Sequence, residues 1–399
     1  MSFLFCYRKE VTCVRYFHYL STHQEENVFY QAPKQVTKES PKKLLEHALG
    51  AVLYMPATRP DIAAVITKRK YEDISSIVFC LEDAIGDHEV KRAEHNVSHQ
   101  LRLIEQAIQH RTIKADHLPF MFVRVRSPKQ MVQLADTLRP ALHLLTGFVF
   151  PKFSAKNASD YVEALEDISS RMTVPLYGMP ILETPDLLMK ETRAAALSEL
   201  SMVLHQHQDL ILNVRIGATD LCGLYGIRRK PKQTIYDIRM IADFMSDIIN
   251  YFGREFVISG PVWEYFQAPQ KPHLLSAHQP VELNDYIKGL VKETELDIAN
   301  GIHGKTVIHP THLKIVNSLY VVTKEDYLDA SSIIHHGNGS IGVMKSHFSN
   351  KMNEIKPHMK WAEKILLKSE IYGVYHENRS FTDLLNEQQN PSNIGQYGG

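Results

Sequence analysis

"PLYGMPILETPDLL", residues 175–188, sets the reading of the whole chain. From Leu176 to Leu182 no charged residue interrupts the run, and apolar side chains stand at successive positions, not alternate ones. A half-exposed strand alternates, whereas a strand buried on both faces of a parallel sheet does not. The run stops on an acid, Glu183, and Pro185 then supplies the fixed φ that opens a helix. Buried strand, carboxylate and helix start follow one another directly.

The same rhythm extends along the chain. Further runs that read as strands are 51–57, 76–83, 120–126, 147–152, 213–220, 256–263 and 305–310. With 175–183 they make eight. Amphipathic stretches lie between them, such as "PDIAAVITKRKY", with Pro60 near a helix start and Ile62, Val65 and Ile66 at helical spacing. In the segment after 89, Val97, Leu101, Ile104 and Ile108 form one stripe. Eight β/α units over this length predict a (β/α)8 TIM barrel. An open doubly wound sheet is the alternative, but no GxGxxG fingerprint accompanies it. Residues 1–45 read as an N-terminal extension and linker, 46–322 as the barrel, and 323–399 as a C-terminal helical appendage.

Composition narrows the function classes. The 399 residues are 44% hydrophobic, ample for a large core. Lys plus Arg and Asp plus Glu number 45 each, so bulk charge gives no case for nucleic acid or a membrane surface. Cys6, Cys13, Cys80 and Cys222 form no CxxC pair and no zinc pattern, which suits reduced thiols. "MSFLFCYRKEVTC" lacks the layout of a signal peptide, and no run approaches a membrane span. The expectation is a cytoplasmic enzyme of small molecules.

In a barrel the chemistry sits at the C-terminal ends of the strands. Those ends carry Glu82 and Asp83, Arg124, Lys152, Glu183 and Asp220. Glu183 and Asp220 end adjacent strands. Two carboxylates with open positions for water and substrate oxygens suit Mg2+ or Mn2+. Alternatively each carboxylate caps the helix that follows it. Arg124 offers a planar cation for a carboxylate or a developing oxyanion, and Arg126 shares its side in an ideal strand. An ion pair with Glu82 or Asp83 is the competing reading, more apt for Arg126 than for Arg124. His303 and His309 read as structural groups.

These residues fall in blocks that resemble the citrate lyase β-subunit-like branch of the HpcH/HpaI aldolase superfamily, metal-dependent carbon–carbon lyases on a TIM barrel. The blocks are "LYMPATRPD", "LEDAI" with Lys91, "VRVRSP", "GFVFPK", "PILETPDLL", "RIGATDL" and "GKTVIHPTHLKIVN", in the family order from about 51 to 317. The C-terminal "GVMKSHFSNKMNEIKPHMKWAEKIL" also resembles a family segment and the stress- and tellurite-resistance-linked subgroup. The resemblance implies a Mg2+-dependent lyase of a 2-oxo or 2-hydroxy acid, or its coenzyme A thioester, with Glu183 and Asp220 on the metal. Arg124 would stabilise enolate charge, while Glu82, Asp83 and Lys152 bind and position substrate. Glu354, at the place of a family aspartate, would transfer a proton, often in a neighbouring subunit of a homo-oligomer, a trimer or hexamer. Three positions depart from the pattern: Gly50-Ala51 replace an arginine-serine pair, Arg126 replaces an asparagine, and Glu354 replaces the aspartate. They leave room for a second expectation, a catalytically inactive scaffold or regulatory protein on the same barrel.

Overall fold

The computed structural model describes residues 12–114, 117–266, 284–338 and 341–386. Cys6, the start of the expected extension and the end of the expected appendage lie outside them.

Eight parallel strands form one sheet: β1 (Ala51–Pro56), β2 (Ser76–Cys80), β3 (Phe120–Arg124), β4 (Leu145–Phe150), β5 (Tyr177–Leu182), β6 (Val214–Ile216), β7 (Ile258–Ser259) and β8 (Lys305–Val307). Neighbours run β7-β6-β5-β4-β3-β2-β1-β8. The edges meet through a Gly260–Lys305 bridge, and the His303 N–H donates to the Ile258 carbonyl at 2.8 Å. The sheet is therefore a barrel, as the doubly apolar runs predict. Helices α1 (Ile62–Thr67), α2 (Val90–Gln109), α3 (Pro128–Thr137), α4 (Ala158–Ser170), α5 (Lys190–Gln206), α6 (Arg239–Phe252), α7 (Asp285–Ala299) and α8 (Thr311–Leu319) each follow one strand. Local signals start several of them. Ser127 caps α3, accepting from the Gln130 N–H at 3.2 Å with Pro128 at N1, and Asn284 caps α7.

Register sorts the side chains. Tyr54, Val78 and Phe122 lie side by side, so Tyr54 points inward with Val52, and Arg124 points inward at the top of β3. Ile181, Arg215 and Ser259 share the inward side across β5, β6 and β7. Lys305 has the opposite parity to Thr306 and points out towards α7. There its ammonium lies 3.0 Å from Glu293 and 2.7 Å from Asp297, with all three side chains fully buried. Arg229 also reaches Glu293. Removing one member of such a buried network strands the others.

The floor of the barrel is closed by chain ends. Residues of the expected extension and linker, among them Tyr16, Phe17, Leu20, Val28 and Phe29, belong to the main hydrophobic core. Phe29–Gln31 pairs with Val374–Tyr375. His303 is buried here, its Nε2 2.8 Å from the His47 carbonyl. Burial holds its pKa well below the usual value. That is the structural role expected of it. The C-terminal part packs α9 (Lys324–His335) on α10 (Ile355–Tyr372). Between them, within the appendage expected to be helical, lies an antiparallel hairpin of Val343–Lys345 and Met352–Glu354. Among the described residues no helix is long and apolar enough to cross a membrane.

Candidate active site

Six of the seven expected site residues converge at the C-terminal mouth. The best-placed carboxylate is Glu183, the first residue beyond β5 and only 3% exposed. It does not cap a helix: the short helix Pro185–Leu188 has Thr184 at its N-cap, with no side-chain cap bond. Instead Glu183 Oε1 accepts from the Lys152 N–H at 2.9 Å. Lys152 makes that bond at φ +50°, a left-handed conformation uncommon for a residue with a side chain. The Lys152 carbonyl accepts from Asn157 Nδ2 at 3.1 Å, which helps hold the turn.

Asp220 is expected at a strand end but does not lie there; β6 stops at Ile216. Asp220 lies in the first turn of a short helix, Ala218–Leu224, whose N-cap, Gly217, has no side-chain cap bond. The turn still brings its carboxylate to the rim, where it pairs with the Lys152 ammonium. Gly217 is the hinge between them, and sequence reasoning did not single it out. A Cβ there would lie 2.1 Å from Glu183 Oε2 and 2.5 Å from Glu183 Cβ, so only glycine lets the two elements close. The signal available was its place in "RIGATDL".

Arg124 is held by Glu82 and, at 2.5 Å, by Asp83. Its expected partners thus reverse: β3 ends at Arg124, the next residues turn away, and Arg126 pairs with Asp87 instead. The Lys152 ammonium also lies 3.7 Å from Glu82, 3.6 Å from Asp83 and 3.8 Å from Glu183. Four carboxylates therefore face two cations, leaving two formal negative charges at the mouth. The protonation equilibria register this excess. Burial, then the Asp220 charge, pushes Glu183 up to about 7, against the opposing pull of Lys152 and Arg124. Burial and the Asp220 charge also raise Asp83, in spite of Lys152. Burial would lower Lys152, but Glu183, Asp220 and Asp83 outweigh it and raise its pKa.

The donor set fits a hard divalent ion of the Mg2+ type. Among the described residues no group of three His, Cys, Asp or Glu side chains is gathered for a metal. Mg2+ takes one or two carboxylates and keeps the rest for water and substrate. Glu183 and Asp220 would supply those two, and the Lys152 ammonium already lies beside both carboxylates. That side chain is 42% exposed.

Glu354 does not join this cluster. It is exposed at the end of the C-terminal hairpin, and its N–H donates to His358 Nδ1 at 3.1 Å.

Comparison with known proteins agrees with this architecture. The chain superposes on CitE of Mycobacterium tuberculosis, solved with magnesium, acetoacetate and coenzyme A, at TM-score 0.52 and 16% identity, covering 82% of this chain and 99% of that one. It superposes on a citrate lyase of Burkholderia xenovorans at TM-score 0.59 and 12% identity, covering 85% and 95%. Identities this low speak for the fold alone. No curated protein matches the sequence. Residues 43–374, most of the chain, match the family described as C–C bond lyase of the TIM-barrel fold. The chain is a member of that C–C bond lyase family.

Proposed function

We propose that this protein is a Mg2+-dependent lyase that makes or breaks a carbon–carbon bond next to a carbonyl of a 2-oxo or 2-hydroxy acid, or of its coenzyme A thioester. The observation that carries this reading is the buried Glu183, paired through Lys152 with Asp220, on a rim with two surplus negative charges. Bound to Glu183 and Asp220, Mg2+ would act as a Lewis acid towards the substrate's carboxylate and adjacent oxygen. Arg124, oriented by Glu82 and Asp83, supplies a fixed positive charge where an enolate or alkoxide forms. Glu82 and Asp83 keep that guanidinium in place and bind and position the substrate from the same rim. Lys152 moves from its carboxylates to the substrate. The crystallised CitE holds magnesium, acetoacetate and coenzyme A together, which supports the class of ligand.

A proton must move when the bond forms or breaks, and we assign that task to Glu354 of a neighbouring subunit. In support, Val343, which pairs with Glu354 across the hairpin, and Met352, two residues before it, are exposed, apolar side chains that suit a contact between copies in a trimer or hexamer. Residues 323–399 would then complete a site in a neighbouring barrel. Mixing Glu354→Gln with Arg124→Ala subunits should restore part of the activity; no recovery in verified mixed oligomers excludes sharing.

The test of the function is a metabolite screen with Mg2+ and with chelator, covering free acids and coenzyme A thioesters. Chelator-sensitive cleavage or condensation is expected.

A further inference from the structure

The floor of the barrel, opposite the mouth, contains a cavity of about 180 Å3. Three segments enclose it. Ile74 and Ser75 lead into β2, Leu118 and Pro119 lead into β3, and residues 13–18 lie against both. The cavity therefore sits at the N-terminal ends of the strands, away from Glu183 and Asp220. One water needs about 10–15 Å3 of such space, so there is room for a small molecule. Gln35 and His117 line the cavity and are exposed, so solutes can reach it.

His18 lines the same space, and its Nδ1 is buried with no hydrogen-bond partner. A buried ring nitrogen left unpaired is costly, and a fold made for stability alone would pair it or do without it. The charges around His18 are of one sign. Burial, then the charges of Arg69, His117 and Arg15, holds its imidazole down at about 4. All three of those cationic groups line the cavity. The acids of the lining are Glu72 and Asp73, and neither contributes to the shift of His18. Asp73 is engaged elsewhere: its Oδ1 accepts from the Tyr19 hydroxyl at 2.6 Å, and burial pushes its carboxyl up to about 6.

The walls are already built. Arg15 Nη2 donates to both Glu25 carboxylate oxygens at 2.7 Å, and its Nε donates to the Pro33 carbonyl at 3.0 Å. Asn317 Nδ2 donates to the Asp73 carbonyl at 3.2 Å, while its Oδ1 accepts from the Ala51 N–H at 2.9 Å. Two residues of the lining hold left-handed backbone, Phe17 at φ +54° and Arg69 at φ +48°. Side-chain-bearing residues rarely adopt that conformation, and such outliers cluster where a fold clamps a ligand.

We infer that this floor cavity binds the oxyanion of a small metabolite, a carboxylate or phosphoryl group, with the His18 Nδ1–H as donor and Arg69, Arg15 and His117 around it. The site is separate from the mouth and does not depend on the lyase reading.

The test is calorimetry on the metal-free, full-length protein, titrated with inorganic phosphate and, separately, with acetate. At least one should bind saturably, one per chain. Phosphate alone marks a phosphoryl ligand, and acetate alone a carboxylate. His18→Phe keeps a ring and removes the nitrogens. Arg69→Gly removes the guanidinium, and glycine takes φ +48° without steric strain. Each variant should weaken the binding more than tenfold, whereas Arg124→Lys, at the mouth, should leave it unchanged. If His18→Phe does not fold, Arg69→Gly carries the test. No saturable binding in wild type, wild-type affinity in a folded floor variant, or loss of binding in Arg124→Lys overturns the inference.

Discussion

Replacing Gly217 by alanine tests the site with a single methyl group. The backbone there has no positive φ, so alanine is tolerated locally and the effect is purely one of contact. The added Cβ meets Glu183 Oε2 at 2.1 Å, whereas ordinary contact begins at 3.4 Å. The carboxylate must retreat by about 1.3 Å, and it cannot do so freely, because Glu183 Cβ lies 2.5 Å from the same point. Overpacking of this kind costs about 1–3 kcal/mol, a loss the whole barrel survives. A Mg2+ site that demands oxygens at about 2.0–2.1 Å does not survive such a shift. Calorimetry with Mg2+ should show a loss of at least about tenfold in affinity, equivalent to about 1.4 kcal/mol. Circular dichroism should remain that of wild type. Wild-type Mg2+ affinity in Gly217→Ala would mean that Glu183 does not hold the metal.

Other outcomes follow from the same geometry. Arg124→Lys keeps the charge but loses the fork that Glu82 and Asp83 orient, so turnover should fall by about two orders of magnitude or more; wild-type turnover removes Arg124 from the mechanism. Glu183 is raised from 4.5 in the unfolded chain to about 7 in the fold. Its stabilising contribution is therefore complete below about pH 4.5 and is lost as the pH rises through about 7. Metal-free protein should show that loss on melting, and Glu183→Gln should remove this component; an unchanged pH profile in the variant contradicts the assignment. Lys305→Met strands Glu293 and Asp297 in the interior and should cost about 3–5 kcal/mol in chemical denaturation, with Mg2+ affinity retained in the folded protein. A loss below about 1 kcal/mol would show that the network contributes little.

The barrel was legible because buried parallel strands are apolar on both faces, and all eight runs became strands. Their ends were less so. The run 256–263 contributes only Ile258–Ser259 to the sheet, since Gly260 forms an isolated bridge and Pro261 has no N–H to donate. Asp220 moved into a helical turn for a related reason: the strand ends where Gly217 lets Glu183 pass. Position along a strand brought Glu82, Asp83, Arg124, Lys152 and Glu183 to one rim, and barrel topology carries that kind of information. Which charge meets which depends on loop geometry, so the partners of Arg124 and Arg126 were reversed.

The most direct test is a crystal soaked with Mn2+ and pyruvate, read by anomalous scattering. A single peak between the Glu183 and Asp220 carboxylates, with the Lys152 ammonium displaced towards the ligand, is the predicted result. No peak there, with Lys152 still seated on Asp220, would contradict the metal-dependent lyase and favour a barrel that has kept its fold without the chemistry.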